Sequence, residues 1–300
     1  MPPATKAPPL TRVIAPQDGS GLAARSLPHA VAIARASGVG LLLYSQLYPS
    51  EVDGDPERSE RAEVLRSLAD AITEVPVEVR VEVAASPIAG LEALTLADEG
   101  ALVCLSSHGR AAERGGPALG SVAEAALGRL SGPLLLVGPS CEEDRTPIAG
   151  EVVACVDCSE LSEEILDPAA TWARRFGMAL RLLEIVPERW AQQVTAGAED
   201  ADAGDCGHTP GCPRGYTERL AEQLRDAQLT VHSDALPAPD PSQPVPHIVA
   251  ALRERGAGLA ALSTHGRTGL RRLRIGSTAI TVVRDSPCPV LVARPRSLQP

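Results

Sequence analysis

Apolar residues in this chain fall into short, nearly continuous runs separated by stretches of helical spacing, and the whole series occurs twice. The run "RVIAPQDGS" (Arg12 to Ser20) is matched by "EVVACVDCS" (Glu151 to Ser159), each β-rich and ending in Asp-x-Ser. Helix patterns follow, "LAARSLPHAVAIARASG" and "EEILDPAATWARRFG", closed by Gly38 and Gly177 as C-terminal stops. Second strands come next, "GLLLYSQLY" and "ALRLLEIVP", then helices "SERAEVLRSLADAI" and "YTERLAEQLRDAQ". Third strands ("VEVRVEVAA", "LTVHSDALP"), further helices ("AGLEALTLADEG", "VPHIVAALRERG") and fourth strands ("ALVCLSS", "GLAALST") complete the parallel. Each half closes with a helix and a fifth strand, "PLLLVGP" or "CPVLVARP".

Strands that are apolar throughout are buried on both faces, so the pattern predicts an α/β fold of parallel sheet with helices on both sides. Two such units are expected in tandem, residues 1–145 and 146–300, meeting near the polar stretch "PSCEEDRTPIAG". The second half is longer between its landmarks: Asp157 to His265 spans 108 residues against 90 from Asp18 to His108. The surplus falls on the acidic, Gly-rich and non-periodic stretch 191–215, read as a surface loop.

Chemistry concentrates after the fourth strands, in "LSTHGRTGLRRLRIGSTA" (Leu262 to Ala279) and "LSSHGRAAERGGPALGSVA" (Leu105 to Ala123). Ligands of open parallel sheets bind beyond the carboxyl ends of the strands, where both Asp-x-Ser and His-Gly are expected. Glycines let main chain approach a ligand closely, and Gly276-Ser277 opens a helix whose free N–H groups favour an anion. Ser277 is expected to cap that helix and to donate its hydroxyl to a phosphate oxygen, with Asp157 across the crevice for a ribose hydroxyl or a metal-bound phosphate.

Bulk properties narrow the partners. A net charge of −10 over 300 residues disfavours nucleic acid and anionic membrane surfaces. No run approaches the 18 apolar residues of a spanning helix, and "MPPATKAPPLTR" reads as a lead-in without a signal-peptide core. Seven scattered cysteines suit free thiols in a reducing compartment, so a cytoplasmic protein is expected.

The repeated glycine loops and first-strand aspartates resemble the universal stress protein family, which carries G-x2-G-x9-G-[ST] after its fourth strand and an Asp ending its first. The resemblance spans nearly the whole chain, twice, and "HGRTGLRRLRIGS" with "CPVLVARP" carries it most specifically. It implies five-stranded parallel sheets in order 3-2-1-4-5, akin to the adenine-nucleotide alpha-hydrolase-like folds, paired through their fifth strands within the chain or in a homodimer. It also implies an ATP site, with magnesium as a companion of the phosphates: adenine near the first two strand ends, phosphates on the glycine loop. In the second half that site comprises Asp157, Val156, Ile185, Ser263, His265, Gly266, Arg267, Gly276, Ser277 and Thr278; in the first, Asp18, Gly109, Gly120 and Ser121. Ser263 and Ser106 stand where the family has its first glycine, and the first-half loop has ten residues between Gly109 and Gly120 instead of nine. Serine is tolerated there if its φ is negative.

Other motifs carry less. Cys155 and Cys158 form a C-x-x-C with Asp157 inside it, read as a buried and a loop cysteine rather than a redox pair. Cys206, His208 and Cys212 share one loop, offering a zinc site or a reversible disulfide without a standard spacing. His108 and His265 lack a paired nucleophile and are expected to shape their turns, while Arg110, Arg267, Arg271, Arg272 and Arg274 lie in or beside the glycine loops. The resemblance implies a nucleotide-binding regulatory protein of the stress response with little or no hydrolysis. A scaffold of the same fold without nucleotide is the alternative, and an adenylating enzyme lacks its signature residues and substrate domain.

Overall fold

A computed structural model describes residues 9–47, 55–84, 88–109, 119–130, 132–188, 215–264 and 276–294. The first half supplies β1 (Arg12–Pro16), β2 (Gly40–Leu47), β3 (Val77–Val83), β4 (Ala101–Ser106) and β5 (Leu134–Val137). The second supplies β6 (Glu151–Cys155), β7 (Ala179–Pro187), β8 (Val231–Ala238), β9 (Leu259–Ser263) and β10 (Val290–Ala293). Each half has the order 3-2-1-4-5 with all neighbours parallel. The two sheets join: Leu134–Leu136 of β5 run antiparallel to Val290–Val292 of β10, making one ten-stranded sheet. Both strands are four residues long and wholly buried, and each covers an apolar edge the other would otherwise expose.

The first helix pattern of each half resolves into two helices, α1 (Gly21–Ala24) with α2 (Leu27–Ser37), and α6 (Glu160–Glu163) with α7 (Leu166–Phe176). Pro28 and Pro168 lie in the first turns of α2 and α7, where a missing N–H costs nothing, whereas further inside they would break a helix. The serines of Asp-x-Ser cap the short helices: Ser20 Oγ accepts from Ala23 N at 3.1 Å and Ser159 Oγ from Ser162 N at 3.2 Å. As the sequence predicts, α2 and α7 end on left-handed glycines, Gly38 (φ +66°) and Gly177 (φ +63°). The remaining described helices are α3 (Asp55–Asp70), α4 (Ala89–Ala97), α5 (Ser121–Arg129), α8 (Tyr216–Leu224), α9 (Val245–Glu254) and α10 (Ser277–Asp285).

The strands bury residues on both faces. Val13, Ala15, Leu41 and Leu135 pack toward α2 and α7, and Ile14, Leu42, Val103 and Leu136 toward α5 and α10. The connection between the halves is bound to both of them. Arg25 of the first half donates to the carbonyls of Pro139 (3.0 Å) and Cys141 (2.8 Å), and Trp172 of the second donates to that of Pro147 (2.6 Å). Among the described residues, no helix is long and apolar enough to cross a membrane.

His29 of α2 is 6% exposed, with its Nε2 3.9 Å from Cys141 Sγ. Burial, and secondarily the charge of Arg25, hold its pKa at about 4 instead of 6.5. Between those values the unfolded chain takes a proton that the folded chain refuses. Stability from this ring is therefore complete above pH 6.5 and shrinks as pH falls toward 4, by about 3 kcal/mol in all. Urea midpoints measured from pH 7 to 4.5 should fall less steeply for His29→Gln than for the wild type. Equal slopes would clear this ring of responsibility.

Reading the cysteines as free thiols holds for Cys104, Cys141, Cys155 and Cys288 but fails at Cys158, which is disulfide-bonded. Cys158 sits at φ +63° in the turn past β6, beyond the half-buried Cys155 that ends the strand. Its partner lies outside the described residues, as do Cys206, His208 and Cys212.

Candidate functional site

Chain connections leave β6 and β9 in opposite directions across the sheet, so their carboxyl ends flank a crevice, as those of β1 and β4 do in the first half. Asp157 stands on one side of the second crevice. Its Oδ1 accepts from Ser159 Oγ (2.5 Å) and Ser159 N (3.3 Å), and its own N–H donates to Ser162 Oγ (3.1 Å). Asp18 is held alike, by Ser20 Oγ (2.6 Å) and N (2.9 Å). The Asp-x-Ser motif thus serves two ends: serine caps the helix and aims the aspartate.

Across the crevice, Gly276 N–H donates to Thr264 O at 2.7 Å, while Thr264 N–H donates to Ala293 O at 2.9 Å. These bonds close the base of the glycine loop and set the start of α10 directly over the end of β9. The first half repeats the device, Gly120 N–H donating to Ser107 O (2.8 Å) and Ser107 N–H to Val137 O (2.9 Å). His108 Nδ1 lies 2.8 Å from Ser107 Oγ, a hydrogen bond inside the turn.

The expected cap is corrected by one residue. Gly276 itself is the N-cap of α10, in extended conformation (φ −69°, ψ 142°), and Ser277 already belongs to the helix, exposed like Thr278. Gly120 and Ser121 behave identically at α5. The glycine N–H is bound to the strand end, which makes the glycine the residue half inside the helix. Neither N-terminus has a side-chain cap, so first-turn amides face the crevice without one.

Ser263 is 8% exposed and, through its pairing with Ala293, lies on the Val156 side of the sheet; among the described residues its Oγ has no hydrogen-bond partner. Such an orphan costs free energy in an apolar setting, which makes this hydroxyl an informative atom at the strand's mouth. Neither Ser106 nor Ser263 has a positive φ, so serine carries no backbone strain at the family's glycine position. Ile185, near the end of β7, belongs to the α10 side of the core. Val156 lies on the other side with Ala154 and Ile165, so the structure does not bring its side chain together with Ile185. In the first half Gly109 abuts the aspartate: a methyl placed on it would be 2.7 Å from Asp18 Oδ2. His265, Gly266, Arg267, Arg110, Arg271, Arg272 and Arg274 lie outside the described residues.

The model of the universal stress protein family matches residues 9–138 and again 150–294. The chain belongs to the universal stress protein family. Its structure resembles that of a universal stress protein from Archaeoglobus fulgidus (19% identity, TM-score 0.64), covering 94% of this chain and 98% of that one. It also resembles a functionally unknown protein from Pseudomonas aeruginosa (17% identity, TM-score 0.59), covering 96% and 94% of the two chains. At such identities the likeness is one of fold. No curated protein matches the chain.

For this tandem universal stress protein, the thiol of Cys155 is pushed up to about 12 by burial, and Cys155 is not bonded to Cys158. That leaves the C-x-x-C without redox-pair character. Sequence reasoning passed over Tyr44, Gln46 and Glu82, which hydrogen-bond across the ends of β2 and β3. Comparing the halves position by position reveals them, because their counterparts are all apolar.

Proposed function

We propose that the chain is a nucleotide-binding regulator of the stress response that holds ATP in its second half. The observation that carries this reading is the uncapped N-terminus of α10, held over the end of β9 by the Gly276–Thr264 bond and facing Asp157 across the crevice. A polyanion above Thr264 would receive first-turn amides and the helix dipole. Asp157, held by Ser159, suits a ribose hydroxyl or a phosphate-bound magnesium across the gap. Ile185 supplies an apolar contact for the base. Ser277 and Thr278 are exposed at the first turn, where their hydroxyls can reach phosphate oxygens. His265, Gly266 and Arg267 complete the site by family resemblance. The proposal asks for binding and release, with conformational or partner choice as the output, and not for turnover. Titration of the full chain with labelled ATP should saturate in the micromolar range. No saturation up to millimolar ATP would overturn the reading and leave a scaffold of the same fold.

A further inference from the structure

The two crevices share a frame but not a lining. Val13 pairs with Leu41 as Val152 pairs with Leu180, and Leu41 with Val77 as Leu180 with Val231. Counted along these registers, Tyr44, Gln46 and Glu82 stand where Leu183, Ile185 and Leu236 stand in the second half. The first three are tied together: Tyr44 Oη donates to Glu82 Oε2 (3.1 Å), lies 3.3 Å from Gln46 Oε1, and Gln46 Nε2 donates to Ala84 O (3.4 Å). Tyr44 is 1% exposed and reaches the first turn of α4, where a methyl on Gly90 would lie 1.7 Å from its Oη and 2.8 Å from Glu82 Oε2. The space between the ends of β2 and β3 and α4 is therefore filled by the protein's own ring and carboxylate.

In the second half Leu183 and Ile185 are buried, and Leu236 packs beside them. These side chains offer only carbon, a surface suited to the face of a planar base. A base entering the first crevice would instead have to break the Tyr44–Glu82 and Tyr44–Gln46 bonds and displace a buried ring before reaching the ends of β2 and β3. We propose that the chain binds one nucleotide per molecule, and that Tyr44, Gln46 and Glu82 are the specificity-determining residues that close the first half to it. This inference rests on the ATP reading of the second half.

Isothermal titration with ATP, paired with native mass spectrometry of the full chain, reads the stoichiometry. One site is expected in the wild type, none in Gly276→Val, and two in the triple variant Tyr44→Leu/Gln46→Ile/Glu82→Leu. Two sites in the wild type, one of them lost in Gly276→Val, would overturn this inference while the ATP reading stands. No binding in the wild type, or a single site that survives Gly276→Val, would overturn both. A folded triple variant that stays at one site would remove these residues from the role. Should the triple variant not fold, Ile185→Glu carries the test, since a carboxylate in the apolar lining of the second crevice is expected to weaken ATP at least about tenfold; unchanged affinity would overturn the assignment.

Discussion

Gly276→Val is expected to lower ATP affinity about a hundred-fold or more while leaving the chain folded. The backbone at position 276 (φ −69°, ψ 142°) is one that valine adopts readily, so α10 and its bond to Thr264 should persist. The side chain is what intrudes. At the equivalent Gly120, a first carbon would sit 3.2 Å from Ser107 O, 3.6 Å from His108 Cα and 3.7 Å from Gly109 N. It would project over the strand-end main chain where phosphates must pass to meet the helix amides. Valine adds two further methyls there, and a branched chain cannot swing clear as an unbranched one can. Equilibrium titration measures the loss and circular dichroism melting checks the fold. Retained affinity in a folded variant would remove Gly276 from the site.

A large effect on stability is expected at Gly138→Ala, about 2 to 3 kcal/mol of destabilisation. Gly138 follows β5 and lies against the end of α10 from the other half, where a methyl would be 1.9 Å from Val283 O and 3.1 Å from its carbonyl carbon. Those are backbone atoms, so relief requires moving a helix or a strand. Alanine restricts the unfolded chain and would otherwise stabilise by up to about 1 kcal/mol, since φ at 138 is not positive. The clash outweighs that gain. The opposite side of the pseudo-twofold arrangement has Arg294 after β10, whose guanidinium donates to Gly128 O at the end of α5, so a long side chain is accommodated there and none at 138. The urea midpoint should drop by an amount matching the stated cost; an unchanged midpoint would show that the halves do not meet so closely.

Most of the architecture is legible in the sequence because it repeats. Strands such as "LLLV" and "VLVA" are apolar at every position, so burial on both faces follows without tertiary information. Gly38 and Gly177 mark helix ends because left-handed backbone favours glycine. The splits before α2 and α7 are harder to foresee, since a proline in a first turn and a proline that breaks a helix look the same in one dimension. At the site, Asp18 and Asp157 are where the Asp-x-Ser repeat puts them, but the cap is Gly276, not Ser277, because a hydrogen bond to Thr264 decides where the helix begins. The Tyr44–Glu82 contact joins residues 38 apart, through a pairing register that no local pattern encodes. Val156 reads like Ile185 as an apolar residue near a strand end, yet the two fall on opposite sides of the sheet.

The antiparallel meeting of β5 and β10 has a consequence for how this protein depends on its own concentration. A seam between separate molecules loosens on dilution; here both sides are tethered by residues 139–150, and the local concentration of one for the other is fixed by that short leash. What remains at the rims are β3, with Glu78, Arg80 and Glu82, and β8, with His232, Asp234 and Pro237, side chains that discourage another strand from docking. The layer is thus finished at its centre and guarded at its borders within a single copy of the chain.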